Sequence, residues 1–374
     1  MRTVTSALHP GESGAFRGSP KRKRGNRVPP SLARRAWVKL AREHYNCSVA
    51  PALAGMFWAI VVAGLGLIAR ADGAPVVPDA AGSDDGKPPP AARTPDNSLL
   101  PPQFRKLVAL HKPLGPPQPG DWLASQEEKG EEYAEYVRGR PVRAEGQRRV
   151  LYVQPLGDFN PTERKIVQLT AEYMGIFFQL PVRVRGDLPL AVIPERARRK
   201  HPAWGMRQIL STYVLSDVLK PRLPADAVAM IALTTSDLWP GEGWNFVFGQ
   251  ASLADRVGVW SIHRFGDPRK NEDALRLTLR RTLGTATHET GHMFSMAHCI
   301  FYECSMCGSN SLVEADRYPL WLCPHCLAKL CYATGANPEK RFKDLIAFAK
   351  AHGLAREAEF WQKSLSAIEQ KRGE

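Results

Sequence analysis

Between Cys47 and Cys299 the chain has no cysteine at all. Six of its seven cysteines fall within the 33 positions from Cys299 to Cys331. A disulfide framework would spread paired cysteines through the fold, whereas clustering with CxxC spacing points to metal. Acidic residues are scarce at the start. Residues 1–55 hold eleven Lys/Arg against two acids, Glu12 and Glu43, which leaves +9 of the formal +14 in that stretch. The remainder is only mildly basic, so the charge is a terminal feature and no nucleic-acid partner is expected for the folded part. Internal repeats are missing too, which excludes solenoids and propellers.

Residues 1–46 are basic, rich in Gly, Pro and Ser, and have little apolar periodicity, the composition of a disordered segment. The run from Val49 to Ala69, VAPALAGMFWAIVVAGLGLIA, is uncharged and about long enough to span a bilayer. Ala69-Arg70-Ala71 then offers small residues in an A-x-A arrangement. Residues 1–71 therefore read as a long basic n-region and signal peptide cleaved near Ala71, or as an uncleaved anchor. Either way the charge bias sends the rest across the membrane. The chain is expected to be extracytoplasmic, secreted, periplasmic or membrane-anchored, and to meet a membrane only through this segment. Residues 72–98 form a Pro-, Ala- and Asp-rich linker that cannot build a core.

Residues 99–374 carry the folded part: a surface segment (99–147), a catalytic core (148–330) and a helical C-terminal part (331–374). Arg149–Leu156 is a β-branched run and the first core strand; Pro181–Val184, Ala227–Leu233 and Val257–Ile262 are further strands. Apolar residues at Ile166, Leu169, Tyr173 and Phe177 mark a helix over 161–177, and the spacing predicts another over 206–219. Alternating strands and helices indicate an α/β layer with a largely parallel sheet. Asn271 caps the next helix, whose apolar residues Leu275, Leu279, Leu283 and Ala286 lead directly into His288. Gly284 and Gly291 lie on one side of it, where close approach to the sheet would compensate their poor helix propensity.

That helix ends in His288-Glu289-Thr290-Gly291-His292. His288 and His292 are one turn apart on one face, so both imidazoles can reach one ion. Glu289 points to the side of it, which suits a general base. The chain must turn back to add His298 as third ligand. Three histidines leave the fourth position of a catalytic zinc open to water, whose pKa falls toward ~7. Four cysteines supply a second, closed tetrahedral set, as in a structural zinc.

HExxH, then His298-Cys299, a CxM step at Cys304-Ser305-Met306 and a distal Cys323-Pro324-His325-Cys326 together resemble the archaemetzincin (archaelysin) family of zinc metallopeptidases. Gly308-Ser309-Asn310, Glu314-Ala315-Asp316-Arg317 and Trp244–Leu253 are similar to it as well. The resemblance implies a metzincin-like mixed twisted sheet with an active-site helix and a helical C-terminal lobe. It implies hydrolysis of peptide or protein substrates with Glu289 catalytic, and two zinc ions. His288, His292 and His298 would hold the first; Cys299, Cys304, Cys323 and Cys326 would hold the second. Met306 corresponds to the Met-turn residue that supports the histidines from below. Cys307 and Cys331 are left over, either as free thiols or as one disulfide.

The sequence departs from the metzincin pattern at Ser295, where glycine is usual. Either the helix ends differently there, or the turn holds a left-handed serine at a cost of roughly 1–2 kcal/mol. The alternative function is therefore an inactive, zinc-stabilised peptide- or protein-binding module. His263, Tyr302 and Tyr318 are the candidates for an oxyanion donor, and Val257–Ile262 is a candidate edge for an extended substrate. Endopeptidase and aminopeptidase action are both open.

Overall fold

The computed structural model describes residues 93–370. The basic start, the apolar run at 49–69 and the linker up to residue 92 lie outside the described residues. Among the described residues, no helix is long and apolar enough to cross a membrane.

Eight strands occur in chain order: β1 (Val150–Leu156), β2 (Val182–Val184), β3 (Arg198–Lys200), β4 (Arg207–Leu210), β5 (Ala227–Thr234), β6 (Asp237–Trp239), β7 (Gly249–Ser252) and β8 (Val257–Ser261). Five form a mixed sheet in the order β2-β1-β5-β8-β7; β3, β4 and β6 make a smaller one. Within the larger sheet β2, β1, β5 and β8 run parallel, and β7 alone is antiparallel, paired to β8 from Gly249↔Trp260 to Ser252↔Val257. β1 and β5 are buried along their whole length, as central parallel strands covered on both faces should be.

After a short helix at Pro102–Arg105, the helices that bear on the site are α1 (Trp122–Ser125), α2 (Tyr133–Arg138), α3 (Pro161–Phe178), α4 (Glu272–Met293), α5 (Leu312–Arg317), α6 (Pro324–Thr334), α7 (Pro338–Ala351) and α8 (Ala355–Glu369). α3, α4 and the C-terminal helices cover one face of the large sheet around Trp260, Leu283, Phe178 and Trp361. A short turn at Ser211–Tyr213, running into a π-helical segment at Val214–Leu219, covers the other. α4 begins where expected: Asn271 accepts a hydrogen bond from Ala274 N (2.8 Å), and Glu272 and Asp273 in the first turn complement the helix dipole.

Three expectations are corrected. Residues 207–210 are not helical; Gln208 and Ile209 pair with β3 and β6, so sheet pairing overrides the helical spacing, and the helix starts only at Ser211. Val257–Ser261 is not an edge: it lies between β5 and β7, and the strand that ends the sheet is β7. The close approach to the glycines of α4 comes from loops rather than from the sheet. A Cβ on Gly291 would meet Met306 Sδ at 2.6 Å, and one on Gly284 would meet Leu320 at 3.3 Å.

Among the described residues, the segment before β1 is tied to the body at several points. Arg93 reaches Glu132 (3.1 Å) and the Lys129 carbonyl (2.9 Å) at the end of the expected linker. The Glu314 carboxylate accepts from Trp122 N (3.0 Å), buried Lys329 pairs with Glu131 (2.9 Å), and Tyr136 Oη donates to the Phe294 carbonyl (2.5 Å).

Candidate active site

α4 delivers His288 and His292 at its C-terminal end, and a tight turn brings His298 back to them. The helix stops at Met293, and Ser295 takes φ 65°. Of the two possibilities for that serine, the left-handed turn is the one realised. It is closed by Ser295 N donating to His292 O (2.7 Å) and Met296 N donating to Gly291 O (3.2 Å). Val142 N donates to the Ser295 hydroxyl (3.1 Å), which offsets part of the backbone cost.

Each imidazole has its Nδ1 fixed. His288 Nδ1 is 2.8 Å from the Ser305 carbonyl, His292 Nδ1 is 2.6 Å from the Met296 carbonyl, and His298 Nδ1 is 2.6 Å from Glu128 Oε1. Carbonyls and carboxylates only accept, so each Nδ1 carries the proton and each Nε2 presents a lone pair. The three ligand nitrogens lie within 4.8 Å of one another. His288 Nε2 and His292 Nε2 are 3.0 Å apart, and His298 Nε2 is buried with no hydrogen-bond partner among the described residues. Burial, reinforced by the neighbouring His298, pushes His288 down to about 3; burial holds His292 well below its ordinary value. Neutral imidazoles with convergent lone pairs repel unless a cation lies between them. Tetrahedral zinc with Zn–N of ~2.0–2.1 Å would separate its nitrogens by about 3.3 Å, so this donor set fits zinc.

Cys299, Cys304, Cys323 and Cys326 form the second group, all buried, with sulfurs within 4.8 Å of one another. Cys299 Sγ and Cys323 Sγ are 3.6 Å apart, near the ~3.8 Å that tetrahedral Zn–S bonds give. Hydrogen bonds from the surrounding thiols hold Cys299 well below the ordinary thiol value. Burial pushes Cys304 and Cys323 well above it, and hydrogen bonding to Cys299 does the same for Cys326. Four thiolates cannot coexist at that distance without a cation, so this set fits zinc as well. Cys307 and Cys331 are free thiols, not a disulfide. Cys307 Sγ contacts the Tyr302 carbonyl (3.3 Å), and His325 is engaged by Tyr133 N (3.2 Å) and Asn97 (3.2 Å), so neither belongs to a ligand set.

The loop Cys304–Met306 joins the two groups. Ser305 O holds His288, Met306 O accepts from Cys299 N (2.8 Å), and Cys304 is itself in the cysteine set. Met306 lies against Gly291 of α4.

Archaemetzincin-2 of Homo sapiens is 32% identical over 283 residues, which cover 67% of this chain and 78% of that protein. The chain belongs to the archaemetzincin family of metzincin-type zinc peptidases. Archaemetzincin-1 of Homo sapiens is 28% identical over 263 residues, covering 62% of this chain and 52% of that one. The family model of Peptidase family M54 matches residues 215–331, the archaemetzincin segment that holds both ligand groups. Among solved structures, archaemetzincin from Methanopyrus kandleri is 27% identical with a TM-score of 0.40, covering 51% of this chain and 98% of that one.

In this archaemetzincin fold Glu289 is buried, and no described residue hydrogen-bonds its carboxylate; burial pushes it up to about 8. A cation among the adjacent imidazoles would favour its ionised form. His288 and Glu289 line one side of a cavity of about 90 Å³. Phe248, Phe265, Leu312, Tyr318 and Leu320 form its apolar walls. At its rim Arg281 is tied to Asp316 in a two-pronged pair (3.0 and 2.6 Å), and Arg280 to Glu357 (3.2 Å). Of the three oxyanion candidates only Tyr318 lines this cavity. Tyr302 sits on the cysteine side with its hydroxyl on Asn97 (3.1 Å), and His263 is exposed.

Sequence reasoning missed Glu128 and Trp122. Both lie in the surface segment, 170 positions from His298 in the case of Glu128, and no motif marks them. Glu128 Oε1 also accepts from Trp122 Nε1 (2.8 Å). Burial alone would raise Glu128, but the hydrogen bonds from His298 and Trp122 keep it below the usual carboxylate value.

Proposed function

We propose that the chain is a zinc-dependent peptidase with a catalytic zinc on His288, His292 and His298 and a structural zinc on Cys299, Cys304, Cys323 and Cys326. The observation that carries this is the Nε2 of His298, without a hydrogen-bond partner among the described residues and buried beside two further imidazole lone pairs at the end of an HExxH helix. When bound, zinc supplies Lewis-acid polarisation of the scissile carbonyl and an acidified water. Glu289, with no hydrogen-bond partner among the described residues, accepts the proton of the attacking water and hands it to the leaving amine. β7, as the antiparallel strand at the end of the sheet, is suited to pairing with an extended peptide backbone; this replaces the interior strand β8 in that role. The cavity beside His288 receives an apolar side chain next to the cleaved bond.

The alternative, an inactive zinc-stabilised binding module, rested on Ser295. With His298 grouped with His288 and His292 despite the left-handed serine, and with Glu289 present, the peptidase is the better supported reading. Purified chain should contain two zinc ions and cleave members of a peptide library, and Glu289→Ala should bind both ions while losing at least about 100-fold in rate. Two zinc ions with no cleavage by either protein would favour the binding module. A single ion that survives substitution of the histidines would rule out both.

A further inference from the structure

The matched family segment holds all three histidines but not every contact that orients them. The contact on the outer side of His298 comes from the surface segment, more than 80 residues before position 215 where the match begins. We propose that Glu128, steadied by Trp122, is a positioning residue for the third zinc ligand: its carboxylate fixes the tautomer and the ring plane of His298. The inference rests on the zinc reading of the triad and deepens it.

Three observations carry it. First, the partners differ in kind. His288 and His292 donate Nδ1–H to backbone carbonyls, of Ser305 in the Cys304–Met306 loop and of Met296 in the turn after α4. His298 sits beyond the end of the helix, and its Nδ1 meets a carboxylate instead, at 2.6 Å. A charged acceptor on the far nitrogen of a ligating histidine fixes its orientation and raises its basicity.

Second, Glu128 is itself held. The oxygen that accepts from His298 also accepts from the indole N–H of Trp122. The Trp122 ring stands edge-on to the His298 ring with centroids 5.2 Å apart. Trp122 is seated against Gly308, where a Cβ would come within 2.5 Å of the indole, so only glycine leaves room for it. Its backbone N–H is anchored by buried Glu314.

Third, the anchors nearest Glu128 lie between positions 294 and 329. Arg317 binds Asp121 and Gln118, Glu314 binds Trp122, Lys329 binds Glu131, and Phe294 O and the Ser295 hydroxyl accept from Tyr136 and Val142. The segment is a strap fastened to the loops that carry the ligands, and Glu128 is its contact with the metal centre.

The test is zinc affinity, read site by site on the full chain by competition with chelators, for wild type, Glu128→Ala and Glu128→Gln. The cysteine site serves as internal control, and the melting temperature of the metal-stripped chain reports folding. Loss of the acceptor should weaken the histidine-site zinc by about 10–100-fold in Glu128→Ala. Glu128→Gln keeps an acceptor oxygen without the charge and should fall between Glu128→Ala and wild type. Cysteine-site zinc and the melting temperature should hardly move. With cobalt in place of zinc, the visible spectrum of the histidine site should shift in Glu128→Ala while that of the cysteine site stays. Unchanged histidine-site affinity in Glu128→Ala would overturn the proposal. So would parallel loss of both ions together with stability in both variants, because that would make the strap merely structural. Wild type holding only the cysteine-site ion would overturn the zinc reading and this inference with it.

Discussion

At the scale of single residues, the site is a set of groups forced into protonation states they would not keep in water. The unfolded chain titrates its histidines near 6.5 and its glutamates near 4.3. In the fold, His288 is pushed to about 3 and His292 well down, so the native state binds fewer protons than the unfolded one. Their contribution to stability is complete above about 6.5 and is lost as pH falls from there. Cys299, held low by its neighbouring thiols, acts in the same sense. Glu289 opposes them: raised to about 8, it keeps a proton that the unfolded chain has released above about 4.5, so its contribution falls as pH rises. Between about pH 4.5 and 5.5 the two histidines outnumber the one carboxyl by about one proton, or about 1.4 kcal/mol per pH unit, and the excess fades as pH approaches 6.5. Denaturant unfolding of the metal-stripped chain at several pH values in that window should show stability rising with pH. A flat or falling profile would mean that the histidines are not held neutral by burial.

At the scale of elements, the decisive pieces are the end of α4 and the Cys304–Met306 loop that packs beneath it. The absence of a side chain at Gly291 lets Met306 approach the helix, and the carbonyl before it, on Ser305, fixes His288. Gly291→Ala adds about 1 kcal/mol of helix propensity and costs a comparable amount in displacing the flexible Met306 thioether, so stability should change by less than about 1 kcal/mol. The loop must still give way, and the histidine-site zinc should weaken by about tenfold in chelator competition. Wild-type affinity in that variant would show that the loop tolerates the methyl group without moving Ser305. The helix, its cap and the ligand cluster were legible in the sequence because each is written in local spacing: Asn271 before an apolar periodicity, HExxH on one face, CxxC at a helix start. β3, β6 and β7 were not legible, and residues 207–210 read as helix, because short strands of three or four residues are defined by their partners rather than by their own period. Glu128 was invisible for the same reason. A carboxylate in a polar segment has no signature until the fold brings His298 to it.

At the scale of the whole molecule, the two ligand groups are one construction. His298 and Cys299 are adjacent in the chain, Met306 O accepts from Cys299 N, and Ser305 O accepts from His288, so closing the cysteine set fixes the loops on which two of the three histidines depend. The strap, the Met-turn loop and α6 meet there as well, since α6 opens on Cys323, whose Sγ accepts from Cys326 N. Binding at a closed four-thiolate site is folding free energy, because the unfolded chain has no such site. Cys323→Ser removes one of the four thiolates and leaves three buried thiols around an incomplete tetrahedron. The variant should lose its structural zinc and unfold at lower temperature. It should also hold the histidine-site zinc at reduced occupancy, because the chain from Cys299 to Met306 is then free to shift. Metal analysis of the purified variant, with the histidine site read separately by cobalt substitution, checks this. A histidine site filled as in wild type, in a protein that has lost the cysteine-site ion, would show that the two centres share a stretch of chain without sharing its free energy.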